Sequence, residues 1–307
     1  MRVLTLIIAY NDYAVIEQAL DGLQCQTRPS DAIVIVDNAS TDGTAEKSFP
    51  DTVAVVRNSK NLGPSGAVRI AFAFAFENGF DWTWVLDADS VPEPDALETL
   101  LAFFDALTGP EQERVCFLGS WPASETGGVK QQPIAVERAE LKVLPLVRSR
   151  DSTPCDCSLW SGSLYRMGAV ARIGMPTADY VADMGETEYG YRARQLGFAS
   201  CIVHKSVVRH DVGRAPGIVS RPYGFGPFTI TLVETTPWRT YYAVRNMIYF
   251  WLYQSKPRHV KPISRVLGKV FIHAFGLFLR PLSHRPQLVA CIRGVRDGVT
   301  GNIAARY

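Results

Sequence analysis

The chain has 307 residues, of which 47% are hydrophobic and 20% charged, and its formal net charge is +2. This composition excludes an intrinsically disordered chain and allows a sizeable buried core. No uninterrupted apolar run reaches the length of about 18 residues that a membrane-spanning helix needs. The six cysteines are scattered, without CxxC spacing or a secretory leader, which argues against a disulfide framework and for a reducing, cytoplasmic compartment.

Taken in chain order, the pattern opens with a buried strand over 3–9, cut off by Asn11 and Asp12 too early for a signal segment. A helix over 13–24, a strand over 32–36, a short helix over 44–47, a strand over 53–57, a helix over 65–79 and a strand over 82–86 follow. Such alternation predicts an α/β fold with a mostly parallel, Rossmann-like sheet flanked by helices. A helix over 94–106 comes next, then a stretch over 109–154 with weak periodicity. A strand and helix return over 158–173, followed by a helix over 187–196 closed by Gly197 and a strand over 200–208. Beyond Pro216 helices are expected and strands should be rare.

The expected organisation is a catalytic domain over 1–214, with a nucleotide-binding half over 1–110 and an acceptor-facing half over 111–214. A basic, mostly helical C-terminal region over 215–307 completes it. Residues 256–307 hold ten Lys or Arg against one acidic residue, Asp297, for a net +9, which leaves −7 on the rest. Basic residues mixed with short apolar segments suit an anionic membrane surface better than nucleic acid.

In parallel sheets ligands sit beyond the carboxyl ends of the strands, so the residues leaving each strand should line one site. These are Ala9-Tyr10-Asn11-Asp12, Asp37-Asn38-Ala39-Ser40-Thr41-Asp42-Gly43 and Asp87-Ala88-Asp89-Ser90. Asp87 and Asp89, one residue apart at a turn, can approach one hard cation, Mg2+ or Mn2+, bridging a nucleotide diphosphate. Asp37 can accept from a pyrimidine imide or a ribose hydroxyl. Between them the Gly-bearing loop Arg57 to Gly66, with Asn61, Gly63, Lys60 and then Arg69, can face phosphate or ribose. Each element alone also reads as turn or helix-cap chemistry.

In this order, the elements resemble glycosyltransferase family 2, whose members open with the GT-A nucleotide-diphospho-sugar fold. The resemblance covers roughly residues 2–250. It implies an inverting, metal-dependent transfer from a nucleotide-diphosphate sugar to a hydroxyl of a glycan or lipid-linked acceptor in cell-wall polysaccharide synthesis. It makes Glu186, in Val181-Ala-Asp183-Met-Gly-Glu186-Thr-Glu188-Tyr-Gly-Tyr-Arg192, the first choice for catalytic base, followed by Glu188 and Asp183. His210 becomes the third metal ligand beside Asp87 and Asp89.

Ser158 to Arg166 resembles the small-residue segment beneath the donor sugar, with Trp160 either stacking on sugar or packing in the core. Arg239-Thr-Tyr241-Tyr242-Ala-Val-Arg245-Asn246 resembles a segment of the rhamnosyl- and galactofuranosyltransferase branches. There it is expected to touch phosphates or acceptor, and it leans the donor toward dTDP-rhamnose or UDP-galactofuranose. The competing readings are a nucleotidyltransferase, which would want a Gly-rich basic loop in place of Ala9 to Asp12, and a binding module without catalysis. The basic tail implies peripheral contact with the inner face of the plasma membrane, and no nucleic acid partner is expected.

Overall fold

The structure is a computed structural model that describes residues 1–124, 128–137, 140–210, 219–225, 228–234, 236–255, 260–278 and 284–307. Tertiary contacts divide the chain into two compact units. The first comprises residues 1–137, 141–181 and 185–214, and the second residues 138–140, 182–184 and 215–307. The expected 214/215 boundary lies outside the described residues.

The first unit is built on a nine-stranded sheet. Strands β1 (Val3–Ala9), β2 (Ala32–Asp37), β3 (Val53–Arg57) and β4 (Trp82–Asp87) are parallel, in the order β3-β2-β1-β4. The two-residue β5 (Val91–Pro92) comes next in the chain, then β6 (Val115–Ser124), β7 (Ile134–Glu137) and β8 (Glu140–Val143). Strands β9 (Ser152–Cys155), β10 (Ser163–Arg166) and β11 (Ala199–His210) complete the set. The sheet continues past β4 as β10-β6-β11-β5, with β9 also on β11 and β7 paired separately with β8. Antiparallel β10 sits between β4 and β6, so β6 and β11 run with the first four strands.

Helices α1 (Ile16–Gln24), α2 (Gly63–Glu77), α3 (Ala96–Asp105), α4 (Gly109–Arg114), α5 (Met167–Ile173) and α6 (Gly185–Gln195) accompany these strands. β1 shows why its sequence is apolar throughout. Leu4, Leu6 and Ile8 enter one core with α2, α5 and α6, while Val3, Ile7 and Ala9 enter the other with α1 and α3. A strand covered on both faces loses the polar alternation of a half-solvated one. In α2, Ala67, Val68, Ala71, Phe72 and Ala75 form the buried stripe that helical spacing demands.

Two expectations need correction. The weakly periodic 109–154 stretch holds β6, a central strand whose residues are nearly all buried. Burial on both faces removed the alternation that would have marked it. Beyond residue 216, β12 (Val219–Phe225) and β13 (Phe228–Glu234) pair as an antiparallel two-stranded sheet where few strands were expected.

The second unit also carries helices α7 (Pro237–Tyr249), α8 (Val260–Phe278) and α9 (Arg285–Val299). Thr236 caps α7 by accepting from the Arg239 amide. Gly294 and Gly298 let α9 close onto α7, since a Cβ there would lie 2.7 Å from the Tyr241 carbonyl and 2.9 Å from that of Arg245. The Tyr241 hydroxyl donates to Asp297 across the same contact at 2.8 Å.

Candidate active site

The strand exits are braced to one another by polar contacts. Asn11, with a left-handed φ of 57°, accepts the Thr41 amide on Oδ1 at 2.8 Å, and its own amide donates to Ser40 Oγ at 2.9 Å. Asn38 is buried, accepts from Asn58 at 3.0 Å and donates to the Gly63 carbonyl at 3.3 Å. Asp37 is 0% exposed; its oxygens serve the Ser40 amide and hydroxyl, and Arg57 stands 3.8 Å away. In this arrangement Asp37 braces the loop rather than facing a nucleotide base. Tyr10 is the exposed aromatic at the β1 exit, whereas Ala9 and Ala88 are buried backbone positions.

The loop ahead of α2 serves close packing. Asn61 accepts the Gly63 amide at 2.8 Å, and Arg69 donates to the Pro176 carbonyl at 2.9 Å. Gly63 has a φ of 69°, and a Cβ on it would lie 1.7 Å from the Val181 carbonyl oxygen. Gly63→Ala is therefore expected to cost about 2–4 kcal/mol from overpacking and left-handed strain, read as a fall in urea midpoint. An unchanged midpoint would show that the loop and the 181 segment separate freely.

The same contact explains the glycine before Glu186. A Cβ on Gly185 would lie 2.0 Å from Ser65 Oγ, so a side chain there would force Ser65 out of its present rotamer at the approach of α6 to α2. On the other side of α6, a Cβ on Gly190 would fall 1.8 Å from the Asp156 carbonyl oxygen. The helix bearing the acidic motif is thus held by two side-chain-free contacts.

The three carboxylates proposed for proton abstraction have different surroundings. Glu188 is buried and forked onto Arg192, with contacts of 2.8 and 3.2 Å, and also accepts from Thr177 at 3.2 Å. Arg192 in turn donates to the Ile173 and Met175 carbonyls, both at 3.0 Å, so this pair ties α6 to the end of α5. Asp183 is ion-paired with Arg239 at 3.1 Å. Glu186, half-buried in the first turn of α6, is the carboxylate whose charge reaches Asp87.

Asp87 and Asp89 follow β4. Burial pushes the Asp87 carboxyl up to about 7, and the neighbouring charges of Asp89 and Glu186 add to the effect. Burial also raises Asp89, opposed by hydrogen bonds, one of them from Ser90, and by the Lys130 ammonium. A serine relay connects the aspartates to His210. The Asp87 amide donates to Ser161 Oγ at 2.8 Å, Ser161 Oγ donates to Ser90 Oγ at 3.0 Å, and Ser90 Oγ lies 2.9 Å from His210 Nδ1.

With Nδ1 donating to Ser90 Oγ, the tautomer compatible with this contact, His210 presents Nε2 as a lone pair. His210 Nε2 is buried without a hydrogen-bond partner. Burial, with Lys130 adding, lowers His210 to about 4, so the ring is neutral near pH 7. Two carboxylates and an imidazole lone pair are a donor set suited to Mg2+ or Mn2+. Among the described residues no group of three His, Cys, Asp or Glu side chains stands ready to hold a metal by itself.

Trp160 packs in the core. It is 5% exposed and lies against Tyr165 and Tyr189, with ring centroids 5.4 and 5.8 Å away, so no face is offered to a sugar. Ser90, Ser161 and Lys130 were not singled out from the sequence as site residues. The two serines lie in segments already of interest, but Lys130 carries no local signal.

The mostly parallel sheet flanked by helices has the GT-A arrangement of the solved structures it superposes on. Residues 5–117 match the family described as Glycosyl transferase family 2. The galactofuranosyltransferase GlfT1 of Mycobacterium tuberculosis is 27% identical over 196 residues, which span 60% of this chain and 62% of that protein. Among solved structures, S. aureus TarS 1–349 in complex with UDP superposes with a TM-score of 0.57 at 14% identity, covering 99% of this chain and 82% of that one. The mannosyltransferase PcManGT of Pyrobaculum calidifontis, in complex with GDP-Man and Mn2+, gives 0.55 at 14% identity, over 97% of this chain and 87% of that one.

Proposed function

We propose that the chain is an inverting, metal-dependent glycosyltransferase that moves a sugar from a nucleotide-diphosphate donor to a hydroxyl of a glycan or lipid-linked acceptor. The observation that carries this reading is the set of buried contacts that ties the Asp87-Ala88-Asp89 turn, through Ser161 and Ser90, to His210, about 120 residues further along the chain. Asp87, Asp89 and His210 would hold Mg2+ or Mn2+, which when bound neutralises charge developing on the departing diphosphate. Glu186 takes the proton of the attacking acceptor hydroxyl, and the exposed ring of Tyr10 would contact the donor. One base and one stabilised leaving group suffice for a single displacement, hence inversion. The likeness to GlfT1 favours UDP-galactofuranose over dTDP-rhamnose.

A thermal-shift panel of UDP, dTDP, GDP and CDP, with and without Mn2+, tests the donor site. Saturating UDP at about 100 times Kd should stabilise the fold by about 2.7 kcal/mol, and only with the cation present. Absence of a shift with every nucleotide would overturn the reading.

Contact with an anionic membrane, at the inner face of the plasma membrane, rests on the second unit. Leu267, Phe271, Phe275 and Phe278 of α8 are exposed at spacings that form one stripe, within the segment of net charge +9. Among the described residues no helix is long and apolar enough to cross a membrane. The protein should float with phosphatidylglycerol vesicles and not with phosphatidylcholine, and Phe271→Ser with Phe275→Ser should abolish flotation. Flotation independent of lipid charge, or none at all, would count against the surface.

A further inference from the structure

The Arg239 to Asn246 segment, singled out in the sequence for contact with phosphate or acceptor, is engaged elsewhere. Arg245 and Asn246 are 0% exposed. The Asn246 side-chain amide donates to two successive carbonyls, those of Ala182 and, at 3.0 Å, Asp183. Arg245 fixes the orientation of that amide by donating twice to Asn246 Oδ1, at 2.9 and 2.7 Å, and its guanidinium lies 4.7 Å over the Tyr242 ring. About two turns earlier on α7, Arg239 holds the Asp183 carboxylate at 3.1 Å.

What these side chains grip is unusual backbone. Asp183 and Met184 are consecutive non-glycine residues with left-handed φ angles of 55° and 66°. L-residues rarely adopt that conformation, and two in a row persist only when their surroundings over-determine them. The strained pair ends one residue before Gly185, where α6 begins, and Glu186 follows directly.

We propose that Asn246, oriented by Arg245 and assisted by Arg239, is a positioning clamp that holds residues 182–184 in their left-handed turn and thereby aims Glu186. This rests on Glu186 being the base of the proposed transfer. The clamp removes the need for Glu186 to find its orientation at each turnover, and a misplaced base forfeits rate rather than donor affinity. Asn246 accordingly touches no reacting atom and acts only through the chain it holds.

The test uses the full chain with Asn246→Ala and Arg239→Ala, UDP with Mn2+ as the donor-site probe, and UDP release from UDP-galactofuranose as turnover. Both variants should keep the wild-type thermal response to UDP and Mn2+ and the donor KM, lose at least tenfold in kcat, and take up more deuterium in the peptide covering 181–188. Arg239→Lys should recover most of the Arg239→Ala loss. Wild-type kcat together with wild-type exchange in the variants would overturn the clamp, as would an equal fall in nucleotide response, which marks general unfolding. If Asn246→Ala does not fold, Arg239→Ala decides by the same criteria. A wild-type protein that turns over no sugar nucleotide, while the variants still loosen the 181–188 peptide, sinks the transferase reading and upholds the grip on the turn.

Discussion

Glu186→Gln is expected to lower the rate of sugar transfer by about 10²–10⁴-fold, the range a positioned general base contributes, with UDP binding unchanged. The amide keeps the shape of the carboxyl and removes only its capacity to accept the proton. Of the three acidic residues of the motif, Glu188 is committed to Arg192 and Asp183 to Arg239. Glu188→Gln should instead show mainly as lost stability, about 1–3 kcal/mol, because its buried carboxylate orients an arginine that ties two helices together. Loss of Glu186 should also lower the titration of Asp87 toward the ordinary carboxylate range, since one of the charges that raises it is gone. Retained turnover in Glu186→Gln would move the base elsewhere.

The second large effect is a pH-dependent response to the cation. The folded-state value of Asp87, about 7, lies above the 3.8 of a free aspartate. Between those values the folded protein holds more protons than the unfolded chain, so the Asp87 contribution to stability falls as pH rises through that window. His210 has the opposite sign: its folded value of about 4 lies below 6.5, so its contribution is lost as pH falls through 6.5 toward 4.

A divalent cation competes with the Asp87 proton, so Mn2+ with UDP should raise the melting temperature more at pH 8 than at pH 6. His210→Ala removes the nitrogen that lacks a protein partner and should weaken the apparent Mn2+ affinity at least tenfold at both pH values. Differential scanning fluorimetry across pH, with EDTA as the control, measures both. A cation response flat in pH, or unaltered in His210→Ala, would exclude these residues as ligands.

These expectations draw on different depths of the chain. The strands β1 to β4 and the polar exits Ala9 to Asp12, Asp37 to Gly43 and Asp87 to Ser90 were legible, because apolar runs and turn residues are local signals. The central strand β6 was not, because a strand buried on both faces has no alternation to read. Gly63 and Gly185 read as loop residues until the 181–185 segment and α2 were seen to meet without room for a Cβ.

The amino-acid sequence by itself determined the class of chemistry: acidic residues at parallel-strand exits, a DxD turn, and an acidic motif followed by Arg192 and Arg194. Only the tertiary structure decided which of those side chains are already occupied. Glu188 is spent on Arg192, Trp160 on the aromatic core, Asp37 on its own loop and Asn246 on the 182–184 backbone. The physical reason is distance along the chain. A side chain's acidity and hydrogen-bonding capacity belong to its residue type, but its partner stands up to 120 residues away, as Ser90 does from His210, and only folding brings them together.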